Sequence, residues 1–86
     1  MDVDAWRARI DALNAQLVDL LNERARCALA IAALKKQGGL PVHDPKREEQ
    51  VLDKVVKHSQ GPLSEESLRA IFRCIMAEHR KLEENG

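Results

Sequence analysis

Residues 4–37 read DAWRARIDALNAQLVDLLNERARCALAIAALKKQ, with no glycine or proline until Gly38-Gly39. The apolar side chains Ile10, Leu13, Leu17, Leu20, Leu21, Ala28 and Ile31 recur at intervals of three and four. That period places them along one face of an α-helix. The paired glycines supply a C-terminal stop. About 33 residues at 1.5 Å each make a rod of roughly 50 Å. A compact domain of 86 residues has a radius of gyration near 12 Å and a diameter of about 30 Å. The rod therefore overhangs its own domain by roughly 20 Å, and its apolar face would stay wet over that length. A second copy packed along the rod is the simplest cover, so a homodimer is expected. A bend or break in the helix is the alternative.

Outward from this stretch, residues 38–43 form a linker and a second helix is expected over 45–58. Asp44 is suited to cap it, and Pro45 fits the first helical position, where the missing N–H is not needed. Its apolar face carries Val51, Leu52, Val55 and Val56, and Gly61-Pro62 lies beyond its end. A third helix is expected over 64–84. Ser64 serves as its cap, and Glu65 and Glu66 complement the dipole of its first turn. Leu68, Ile71, Phe72, Ile75, Met76 and Leu82 form its apolar face, and the tail Glu84-Asn85-Gly86 is expected to fray. The reading is all-α: a single domain over 1–86 with three helices, its long first helix packed against that of a second copy.

Composition agrees with packed helices and narrows the function. Hydrophobic residues make up 44% of the chain, yet there is one Trp, one Phe and no Tyr. Fourteen basic and fourteen acidic residues balance, which argues against a nucleic-acid binder. No apolar run approaches the roughly 18 residues of a membrane span. The start, Met1-Asp2-Val3-Asp4, lacks the basic-then-apolar order of a signal peptide, so a cytoplasmic protein is expected. Cys27 and Cys74 lack CxxC spacing. They read as reduced core residues rather than as a disulfide or metal ligands.

Continuing each apolar face to its end turns up charges. On the first helix the face reaches Arg24 and Lys35; on the second it runs back to Glu48, Arg47 and Asp44; on the third it continues to His79 and Glu83. A buried unpaired charge costs several kcal/mol unless a partner or ligand compensates it. Singly, most have an ordinary explanation. Lys35 can snorkel near a helix C-terminus, Asp44 is a cap, and Arg47 and Glu48 could be solvated in a first turn. Together, on three helices, they describe a polar cavity. Guanidiniums plus an ammonium suit a compact molecule with more than one carboxylate or phosphate, and Glu48 adds an acceptor for a hydroxyl. No nucleophile arrangement, glycine-rich phosphate loop or metal cluster is visible, so any chemistry must come from positioning and electrostatics.

Arg7-x-x-Ile10-Asp11, Glu23-Arg24 with Lys35 eleven residues on, Pro41-Val42-x-Asp44-Pro45-x-Arg47-Glu48, Gly61-Pro62-Leu63 and Ile71-Phe72-x-x-Ile75-Met76 together resemble the AroQ class of chorismate mutases. The resemblance runs through nearly the whole chain, in order and with matching gaps. It implies three-helix chains in intertwined dimers that convert chorismate to prephenate, the committed step toward phenylalanine and tyrosine, without a cofactor. By position, Arg24 resembles the arginine pairing with one substrate carboxylate, and Arg7 the one reaching in from the other subunit. Lys35 resembles the lysine on a carboxylate and the breaking ether oxygen. Asp44 and Glu48 match positions around the ring hydroxyl, and Arg47 a supporting arginine. Glu83 falls where Gln or Glu meets the ether oxygen. His79 falls where a small hydroxyl residue is usual, and its imidazole could donate a hydrogen bond there.

The resemblance also implies a mechanism without a nucleophile: a concerted pericyclic shift, served by holding the folded substrate and by donors at the ether oxygen. A carboxylate cannot donate, so Glu83 must carry a proton to act there. Arg7 and Lys35 are 28 residues apart, or about 42 Å along one helix. If both bind one substrate, Arg7 comes from the partner. Isochorismate–pyruvate lyase, with a similar fold and anion clamp, is the nearest rival; a non-catalytic helical regulatory module of the shikimate pathway is another.

Overall fold

The computed structural model describes residues 2–85. Three helices and no strand are present among the described residues: α1 (Val3–Gln37), α2 (Pro45–His58) and α3 (Glu65–Asn85). α1 is one unbroken helix of 35 residues, so the alternative of a break is set aside. The chain is helical through Asn85, the last described residue; the expected tail reaches Gly86, which lies outside the described residues.

Local chemistry sets the ends. Asp2 accepts the Ala5 N–H at 2.8 Å and so begins α1 one residue earlier than Asp4. At its other end Leu40 N donates to Lys35 O at 2.8 Å and Gly39 N to Lys36 O at 3.2 Å. That pairing is the Schellman arrangement, and it requires the left-handed backbone of Gly39, φ 71°. Asp44 caps α2 by accepting the Arg47 N–H at 3.1 Å. Ser64 Oγ accepts the Ser67 N–H at 3.1 Å ahead of α3.

α3 packs against both α1 and α2. The protomer's core is small: Leu52 of α2, Met76 of α3, and Ala25 and Ala32 of α1. The two alanines lie seven residues apart, two turns along one row of α1. Their short methyl side chains let α3 approach that row closely. The remainder of α1's apolar face stays open, with Ile10 and Leu17 each 54% exposed and Leu20 59%. The principal extents are 55 × 24 × 16 Å and the radius of gyration is 15.8 Å, against about 12 Å for a compact chain of this length. A small core beneath a long, wet apolar rod is the main energetic fact of the isolated protomer.

Cys27 and Cys74 are free, as expected, but neither is a core residue of the protomer; both are exposed. Cys27 borders the open cavity described next rather than a packed seam. Cys74 is two residues from Phe72 and from Met76, about 200° around the helix from each, and so on the far side of α3 from both.

Candidate active site

Between the second half of α1, the linker before α2, the first turns of α2 and the end of α3 lies an open-sided cavity of about 280 Å³. Helical spacing supplies its polar lining. Arg24, Ala28, Ile31 and Lys35 succeed one another at four, three and four residues on α1, while Met76, His79 and Glu83 do so at three and four on α3. Asp44, Arg47 and Glu48 reach the same cavity from the cap and first turn of α2. Seven of the eight residues singled out in the sequence thus border one space. The eighth, Arg7, does not. It stands 28 residues from Lys35 on the unbroken α1, about 42 Å away.

Hydrogen bonds fix part of the lining. Arg24 Nη1 lies 2.7 Å from His79 Nδ1, and His79 is among the most buried residues of the protomer, 7% exposed. Arginine can only donate, so Nδ1 is the acceptor and the ring is neutral. Burial lowers the His79 pKa below its ordinary 6.5, the Arg24 charge lowers it further, and Glu83 and a hydrogen bond with the Leu21 backbone oppose them. Lys35 Nζ donates to the Val42 carbonyl at 3.4 Å, a long bond from α1 to the linker. Lys36 Nζ donates to the Glu83 backbone carbonyl at 3.0 Å and joins the ends of α1 and α3.

Two further residues were not singled out in the sequence. Arg80 Nε stands 3.4 Å from Glu48 Oε2, and His43 Nε2 stands 3.6 Å from Glu48 Oε1. Arg80 Nε is buried without a hydrogen bond, so its ion pair with Glu48 is what offsets the buried charge. Arg80 lies four residues after Met76, and the same periodicity that reached His79 and Glu83 would have reached it. His43 sits in the linker, where no period applies.

The charge balance of the cavity is uneven. Glu48 is paired, and one oxygen of Asp44 is occupied as a cap. Arg24, Lys35 and Arg47 have no ion-pair partner among the described residues. Four cationic side chains, Arg24, Lys35, Arg47 and Arg80, thus line one small space with three carboxylates, Asp44, Glu48 and Glu83, and three of the cations stand outside any ion pair, an arrangement suited to a ligand with anionic groups of its own. No group of three or more His, Cys, Asp or Glu able to hold a metal occurs among the described residues. None of the described helices is long and apolar enough to cross a membrane.

The model of the chorismate mutase type II family matches residues 6–84. The chain belongs to that family. A bifunctional chorismate mutase/prephenate dehydratase of Pseudomonas aeruginosa is 41% identical over 85 residues, 93% of this chain. The chain spans about a quarter of the length of such bifunctional relatives, 23% in that case. A chorismate mutase of Methanocaldococcus jannaschii is 31% identical over 75 residues, which cover 87% of this chain and 76% of that one. Among solved structures, a chorismate mutase of Thermus thermophilus superposes with a TM-score of 0.93 at 36% identity, covering 95% of this chain and 93% of the other. A chorismate mutase of Helicobacter pylori in complex with prephenate superposes at 0.88 with 35% identity, covering 96% and 90%. The three-helix architecture with an overhanging first helix is thus a chorismate mutase architecture.

Proposed function

We propose that the chain converts chorismate to prephenate, as a mutase domain over 1–86 that works as a homodimer in the cytoplasm and serves phenylalanine and tyrosine synthesis. The observation that carries this reading is the convergence of Arg24, Lys35 and Arg47 on one cavity with no ion-pair partners of their own among the described residues. Chorismate and prephenate are dicarboxylates, and the family membership gives that anion site its substrate.

In this assignment Arg24 pairs with one carboxylate and the partner subunit's Arg7 with the other, Arg47 supporting the clamp. The clamp holds the folded conformer in which the two carbons to be joined are close, a positioning effect. As the ether bond parts, negative charge grows on its oxygen. Lys35 supplies a donor there, worth about 3 kcal/mol when preorganised, and Glu83 stands at the same oxygen. Glu48, held by Arg80, and the free oxygen of Asp44 accept from the ring hydroxyl. His79 borders the carboxylate clamp. No proton need move and no covalent intermediate forms, in keeping with a cavity that offers no activated nucleophile.

Incubating the protein with chorismate and separating the products tests the reading. Prephenate formed faster than in buffer supports it. Salicylate and pyruvate from isochorismate would instead identify a lyase, and no turnover of either substrate would identify a non-catalytic module.

A further inference from the structure

Buried side chains that touch no substrate can still govern a site by holding one that does. His79 is inserted between α1 and α3, nearly out of solvent, with Nδ1 2.7 Å from Arg24 Nη1. We propose that His79 is a positioning residue whose neutral imidazole, unprotonated at Nδ1, holds the Arg24 guanidinium in the cavity, so that acid releases the clamp. The inference rests on the mutase reading for its functional consequence, though not for its geometry.

The chemistry of the contact supports it. Arginine offers donors only, so a contact this short obliges Nδ1 to present its lone pair and leaves any ring proton on Nε2. The ring is nearly out of solvent, so no water competes freely for that lone pair. A buried Nδ1 committed to Arg24 fixes where the guanidinium points.

Protonation would reverse this. The Nδ1–H of an imidazolium would face the N–H of a guanidinium, donor against donor and cation against cation. The charged groups lining the cavity are Arg24 and Lys35 from α1, Asp44, Arg47 and Glu48 from the cap and first turn of α2, and Arg80 and Glu83 from α3. Of these, Arg24 disfavours the imidazolium and Glu83 favours it, while burial outweighs both. The clamp is accordingly intact at neutral pH and fails only after the ring is forced to take up a proton, below its ordinary pH range.

The test pairs spectroscopy with kinetics on the full chain. Two-bond ¹H–¹⁵N correlation spectra of the imidazole at neutral pH should show a protonated Nε2 and an unprotonated Nδ1. In wild type, KM for chorismate should rise at acid pH with kcat less affected. His79→Asn places an amide oxygen near the position of Nδ1 and does not titrate. It should hold KM within about threefold of wild type and remove the acid rise. His79→Leu should raise KM by about tenfold or more at every pH, since losing a charge-assisted hydrogen bond costs at least one decade. A protonated Nδ1, an unchanged acid rise in the Asn variant, or a wild-type KM in a folded Leu variant would each overturn the proposal. If the Leu variant does not fold, the spectra and the Asn profile decide. Absent turnover by wild type would overturn the mutase reading instead, and the tautomer spectra would still score the positioning of Arg24.

Discussion

The dependence of each site on two chains can be tested by restoring activity from two damaged proteins. Arg7→Ala removes the residue assigned to the partner's site, and Lys35→Ala removes a donor within the chain's own site. Losing a charged hydrogen bond to a carboxylate costs roughly 1.5–3 kcal/mol, so Arg7→Ala should retain about a tenth to a hundredth of wild-type kcat/KM. Lys35→Ala should retain less, about a hundredth to a thousandth. Arg7 and Lys35 stand 28 residues apart on the unbroken α1, about 42 Å, so no single chain can bring them to one small molecule. If the two variants are unfolded together in equal amounts and refolded, random pairing makes half of the dimers mixed, and each mixed dimer has one intact site of two. About a quarter of wild-type activity should return, by the symmetry of an isologous dimer. That exceeds either parent at least twofold. The assay is the rate of prephenate formation at low chorismate, with light scattering to show that both variants and the mixture are dimeric. A mixture no more active than the mean of its parents would refute both the shared site and the reasoning from helix length.

Other outcomes follow from the same geometry. Lys35→Ala should lower kcat by about two to three orders of magnitude without dissociating the dimer, measured by steady-state kinetics beside sedimentation. Glu83→Gln, whose amide donates, should keep kcat within about tenfold of wild type, whereas Glu83→Ala should lower it by about two orders of magnitude; a wild-type kcat in the Ala variant would remove Glu83 from the ether oxygen. Leu52, at 1% exposure the most deeply buried large side chain, should cost about 2–5 kcal/mol when replaced by Ala, read as an earlier denaturant midpoint. The lowered His79 pKa means that the unfolded chain takes up the proton first as pH falls. Stability linked to this group is then full above about pH 6.5 and declines below it until the folded ring itself titrates. Thermal melts on either side of that pH should show a smaller acid loss for His79→Asn than for wild type.

Three helices were legible because periodicity and breakers are local. Asp44, Ser64 and Gly39 act within one turn of themselves, and the structure finds each at the end the sequence assigns to it. The packing seam of α1 was less legible. Ala25 and Ala32 carry no pattern of their own, and their burial follows from the close approach of α3 rather than from hydrophobicity. The cysteines were misread for a related reason: a small apolar side chain in a helix marks a core only when another element covers it. In the cavity, Arg24, Lys35, Glu48 and Glu83 stood out as charges on apolar rows, a contradiction visible in one dimension. Arg80 lay on the same row of α3, whereas His43 came from a linker with no period to betray it. The orientation of His79 could not be read at all, since whether a ring nitrogen donates or accepts depends on the group across from it, 55 residues away.

The shape of the protomer and the proposed dependence of its site on a partner have one physical origin. A chain of 86 residues cannot bury enough apolar surface to be comfortably stable alone, and here more than a third of it is committed to one helix. The side chains left about half wet along that helix, from Val3 and Trp6 to Leu20, would each return about 1–1.5 kcal/mol if a second copy covered them fully. The same extension that exposes them carries Arg7 about 42 Å from its own cavity. A partner that lies along α1 to cover the apolar face, with its cavity at the far end, receives that arginine without further adjustment. Stability and catalysis then draw on one interface, so a charge placed at Leu17 should lower the dimer fraction, read by sedimentation, and turnover in the same proportion, although Leu17 does not line the cavity.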